Sequence, residues 1–167
     1  RPPLRSVAPP GPWSAARPPR ASPAVDALLG AAPSFGPNAL ALWRLIQRLA
    51  PRNLSVYTTS TTSVDGSRLA STLDRAGANV SLYAYEPDVF THAKLIGIVA
   101  GSQSWIFSGS ANLSQAALTL TASDGNVELS VLTAATPEQT RALFMPPGAT
   151  VRPPPTADHN GSTVGRR

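Results

Sequence analysis

A chain of 167 residues, 42% of them hydrophobic, with a net charge of +5, is long enough for one domain with a sizeable core. It has no cysteine, so disulfides and thiolate metal sites are excluded, and a reducing, cytoplasmic location is the expectation. No apolar run approaches the ~18 residues of a membrane-spanning helix, and the Pro- and Arg-rich start lacks the apolar stretch of a signal peptide.

Proline and charge divide the chain into three. Ten of the 18 prolines fall in residues 1–37 and five more between Pro146 and Pro155. Residues 1–37 are read as a disordered arm or linker containing the isolated Trp13, residues 38–145 as a single folded domain, and residues 146–167 as a disordered tail. The chain opens on Arg1 rather than Met, as a piece of a longer protein would. The excess charge belongs to the ends: residues 1–35 carry +3 and residues 151–167 carry +2, while the middle balances seven basic against seven acidic residues. Basic tails can help to hold a polyanion, but the domain itself is neutral.

Within the domain, Asn38 after Pro37 is a candidate N-cap, and Leu42, Leu45, Ile46 and Leu49 repeat at helical spacing until Pro51 stops them. A strand is expected at 54–58, a helix at 65–77 closed by Gly77, and a second strand at 80–85. This alternation argues for an α/β layer arrangement with a parallel strand pair. Lys94 to Ala100 then reads as a third strand, turned by Gly101-Ser102-Gln103 into a fourth at 104–108. A short helix is expected over 112–118 and a fifth strand over 126–132. Thr136-Pro137-Glu138-Gln139 is spaced for a capping box with proline at the first helical position, so a last helix should end before Pro146. The fold class is therefore α/β, a mixed central sheet flanked by helices.

The chemistry concentrates in one stretch. The only lysine, Lys94, stands two residues from His92, one of two histidines. On a strand, side chains two apart share a face. An imidazole beside an ammonium suits a phosphate ester, one group to attack phosphorus and one to hold its oxygens. Taken alone, the pair also fits an ordinary strand edge with a solvated lysine. Gly109-Ser110-Ala111-Asn112 follows a strand and opens a short helix, where small residues admit a ligand and N–H groups can donate to an anion. It reads equally as a glycine turn with an asparagine cap. Glu128, on an otherwise apolar stretch, needs either water or a partner, and an imidazole N–H is one candidate.

In this order, His92-Ala93-Lys94, Gly109-Ser110-Ala111-Asn112-Leu113-Ser114 and Gly125-Asn126-Val127-Glu128 resemble the phospholipase D superfamily, over about 80 residues. The resemblance implies a phosphodiesterase that needs no metal or cofactor. His92 would be the nucleophile that forms a phosphohistidine, and Lys94 and Asn112, assisted by Ser110, would hold the non-bridging oxygens. Glu128 would orient His92. The family's aspartate falls at Val99, a departure from the pattern, and the motif occurs once where the family's active site uses two. His159 lacks the neighbouring lysine and cannot serve as the second. The resemblance thus implies a homodimer or a second phospholipase D-like half as partner, with nucleic acid the expected substrate. A lipid hydrolase or transphosphatidylase is the alternative within the enzyme class. Outside it stands a non-catalytic half-domain that binds polyanions or a partner subunit.

Overall fold

The computed structural model describes residues 24–59, 62, 64–85, 92–121 and 123–145, and the backbone of 151–152. The chain ends up to residue 23 and from 153, with Trp13 and His159, lie outside the described residues, as do residues 86–91 and 146–150.

Among the described residues, seven strands form one sheet in the order β6-β5-β4-β1-β2-β3-β7. β1 (Ala27–Ala31), β2 (Asn53–Thr58) and β3 (Asn79–Tyr85) run parallel, joined by α1 (Leu40–Leu49) and α2 (Gly66–Asp74). β4 (Leu95–Ala100) pairs antiparallel with β1 and opens a meander through β5 (Gln103–Gly109) to β6 (Ser130–Ala135). The four-residue α3 (Gln115–Leu118) interrupts the connection between β5 and β6. α4 (Pro137–Phe144) follows β6, and the two-residue β7 (Val151–Arg152) closes the sheet beside β3. The mixed sheet with flanking helices expected from the sequence is present.

The alternation of strand side chains feeds two apolar layers. On one face Leu28, Leu54, Val56 and Ile96 meet Leu42 and Ile46 of α1, Leu69 and Leu73 of α2, and Leu113. On the other, Leu29, Tyr57, Tyr85 and Val99 meet Phe144 of α4. Gly97 lets α4 approach: a Cβ there would lie 2.8 Å from the Thr140 methyl and 3.0 Å from the Phe144 ring. α4 starts on the expected capping box, with the Thr136 hydroxyl accepting from Gln139 N–H and the Gln139 side chain accepting from Thr136 N–H.

Five expectations are corrected. β1, the strand that joins the parallel trio to the meander, lies inside the stretch expected to be an arm. Its five residues sit between Pro23 and Pro33, and burial on both faces removes the apolar–polar alternation that marks a strand. β7 likewise falls in the expected tail. α1 is entered through Ala39, fully buried and left-handed at φ 49°, with no side-chain cap, so Asn38 does not serve as N-cap. The last long strand starts at Ser130 rather than at 126, and α3 starts at Gln115 rather than at 112.

Candidate active site

The site gathers at the end of the sheet where the parallel strands finish, the usual place for a ligand in an open α/β sheet. His92, Ala93 and Lys94 lie directly ahead of β4, whose first residue Leu95 pairs with Ala31, the last of β1, and with Ser108 of β5. His92 is exposed and Lys94 half-buried. β5 runs antiparallel to β4, so its last residues arrive at the same end. Ser110 follows immediately.

Gly109 is required by close approach. A Cβ there would stand 2.3 Å from the Leu129 carbonyl oxygen and 2.6 Å from Ser130 Cα. Beyond it the loop is pinned by alternate residues: Ala111 and Leu113 are buried, with Leu113 packed on Gly30 of β1, while Ser110 is exposed and Asn112 half-buried. The small and apolar positions of Gly-Ser-Ala-Asn-Leu thus anchor the loop and present its polar ones. The short helix expected to receive an anion at its start does not begin there, since α3 starts three residues after Asn112.

Ser110 and Glu128 form the best-defined part of the site. The Ser110 hydroxyl donates to Glu128 Oε2 at 2.5 Å and accepts from Leu129 N–H at 2.9 Å. Ser110 N–H in turn donates to the Leu129 carbonyl at 3.0 Å. Glu128 Oε1 accepts from Asn126 Nδ2 at 3.0 Å. Asn126 is itself held by its N–H on the Ala116 carbonyl at 2.7 Å, and Gly125 is tight against the same oxygen. These donations, Ser110 first and Asn126 second, hold the Glu128 carboxyl below the usual carboxylate range, and the Lys94 charge acts in the same direction. Glu128 is therefore ionised, within electrostatic reach of Lys94, and precedes β6 rather than lying on it.

Asn112 Oδ1 is buried and has no hydrogen-bond partner among the described residues, and the same holds for Ser130 Oγ. An orphaned amide of this kind costs free energy unless something else satisfies it. Val99, where the resemblance has an aspartate, is 2% exposed and sits in the α4-facing cluster with Leu29 and Phe144. Asn126 is the residue that sequence reasoning did not assign. Its signal was the Asn-x-Glu spacing beside a glycine, which reads more readily as a turn. Among the described residues no group of three His, Asp or Glu side chains could hold a metal ion.

No protein-family profile matches the chain, and no curated protein does. Similar solved structures include Nuc, a phospholipase D family member from Salmonella typhimurium, at 16% identity and TM-score 0.48, covering 74% of this chain and 76% of that one. NucT from Helicobacter pylori is similar at 15% identity and TM-score 0.43, over 71% of this chain and 76% of its own. Polyphosphate kinase from Porphyromonas gingivalis matches at 10% identity and TM-score 0.45, over 74% of this chain and 18% of that much longer one.

Proposed function

We propose that the chain is a cytoplasmic, metal-independent phosphodiesterase of the phospholipase D type, acting on nucleic acid. The observation that carries the reading is the convergence of Lys94, the Asn112 loop and the Ser110–Glu128 pair at one end of the sheet, with His92 two residues from Lys94. An imidazole nitrogen of His92 attacks phosphorus, forming a P–N bond as the P–O bond to the leaving group breaks. Water then cleaves the P–N bond and regenerates the imidazole. Lys94 and the Asn112 amide hold the non-bridging oxygens, where charge develops. Glu128, kept ionised, orients His92 and offsets the positive charge that the ring gains when its nitrogen bonds to phosphorus. The leaving oxygen takes its proton from a second copy of the motif, supplied by a second chain or a second half.

The test is turnover of an aryl phosphodiester and of DNA by the full chain. His92→Ala should lower the rate on the order of 10³-fold or more, as removal of a nucleophile does, and EDTA should leave it unchanged. Phosphorus-32 from labelled substrate should be recovered on His92 after acid-free quenching. Activity that survives His92→Ala, or that EDTA abolishes, rules the mechanism out.

Burial of Val99 favours a second reading, a half-domain that binds polyanions without turning them over. DNA binding that is weakened by Lys94→Ala, with no hydrolysis by the wild type, would be its mark.

A further inference from the structure

Among the described residues, one end of the sheet has no strand to cover it. The strand order stops at β6, and no described strand lies beyond it. Native edges are ordinarily blunted by charge, proline, a bulge or brevity. Ser130–Ala135 has none of these: six residues, uncharged, in unbroken register with β5 from Gly109↔Ser130 to Ser104↔Ala135. Ser110 N–H bonds the Leu129 carbonyl, so the antiparallel ladder turns the N–H and C=O of Val131, Thr133 and Ala135 inward and those of Ser130, Leu132 and Ala134 outward. Side chains are equally uncovered. Val131 and Leu132, on opposite faces, are 58% and 63% exposed, and Val127 and Leu129 just before the strand are 93% and 81% exposed. An apolar groove of about 470 Å³ lies on the α1 face beside Phe107, Leu118 and Leu132, and one of about 650 Å³ on the α4 face beside Ile106, Thr133 and Leu143.

We propose that β6 is a self-association surface, on which a second copy of this chain adds its own β6 antiparallel across a two-fold axis. Antiparallel self-pairing matches the outward donors and acceptors of a strand to those of its copy, and a two-fold contact is self-complementary by construction. No charge on Ser130–Ala135 repels the copy. The ends outside the described residues are poor alternatives, because residues 1–23 hold eight prolines and residues 153–155 are all proline, and proline cannot donate to a ladder. This contact does not complete the phosphoryl-transfer site. It sets β4 and its copy five strand spacings apart, about 24 Å, so two His92 side chains could not meet at one phosphorus. The edge is a separate contact, and it stands or falls independently of the phosphodiesterase reading.

Mass measured by sedimentation across a concentration series of the full chain tests this. The wild type should weigh an even multiple of the chain, and Leu132→Lys or Ala134→Pro should halve that mass. Val80→Lys, on β3, should not change it. Circular dichroism verifies that each variant folds. Should Ala134→Pro fail to fold, amide exchange in the wild type serves instead: Leu132 and Ala134 should exchange slowly when assembled and fast when dilute. A monomeric wild type overturns the proposal. So does an assembly whose mass the edge variants leave unmoved, or outward amides that stay protected in the monomer.

Discussion

Ser110 spends one hydroxyl on two jobs, donating to Glu128 and accepting from Leu129 N–H, and both draw the segment before β6 against the end of β5. Donation from Ser110, then from Asn126, holds Glu128 below the usual carboxylate range, so its ionised form stabilises the fold above that range. The contribution fades as pH falls through the lowered value. Ser110→Ala removes the largest cause, and the Glu128 carboxyl midpoint, followed by carbon-13 NMR, should move up toward the ordinary glutamate value. A midpoint that stays in place would mean that Asn126 and Lys94 suffice. Much of this site was legible because its residue types are scarce: one lysine and two histidines in the whole chain leave few alternatives. The bond from Leu129 N–H to the Ser110 hydroxyl was not, since nothing in the sequence says that a serine hydroxyl will stand in for a main-chain acceptor. Val99 shows the other limit. Its identity is plain from the sequence, but its place in a dry cluster against α4 emerges only from the packing.

Elements were readable where local signals agreed. The capping box of α4, the β4–β5 hairpin and the helical stripe of α1 all combine a period with a start or stop residue. β1 was missed because burial on both faces erases its period and its flanking prolines argue for a loop. The ends of α1 show how packing overrides a cap. Ala39 takes the N-cap position because it is fully buried, and Ala50 ends the helix in a left-handed conformation at φ 43°, its N–H on the Ile46 carbonyl at 2.8 Å. Alanine pays about 1 kcal/mol for that conformation and glycine does not. Ala50 is exposed. Ala50→Gly should therefore raise stability by up to ~1 kcal/mol, seen as a higher urea midpoint with an unchanged slope.

At the scale of the molecule, an aromatic cluster ties the parallel strands to α4. Tyr57 stacks on Tyr83 at 4.9 Å, its ring lies 5.4 Å from Phe144, and the Tyr85 hydroxyl donates to the Phe144 carbonyl at 3.0 Å. That bond satisfies a carbonyl at the end of α4 that the helix cannot. Burial, then the neighbouring Tyr83 and Tyr85, push the Tyr57 phenol from 10.0 up to about 12. Folding thus favours the neutral phenol, and its contribution is whole below pH 10.0 and is lost as pH rises through about 12. Denaturant titrations over that alkaline range should show stability falling with pH in the wild type and falling less in Tyr57→Phe.

The position of β1 also governs the order in which the molecule can be made. Its two partners arrive at different times: β2 follows after one helix, whereas Val99, opposite Ala27, is synthesised only after α2 and β3. Until β4 emerges, β1 has one strand edge and part of its apolar surface without a mate. The β4–β5–β6 meander is built from near neighbours and can close quickly, but the join at β1 spans most of the domain and pays the larger loop-closure cost. During synthesis the nascent N-terminal half is thus the vulnerable one. A chaperone that shields it would act on β1, which the finished protein hides in the middle of its sheet.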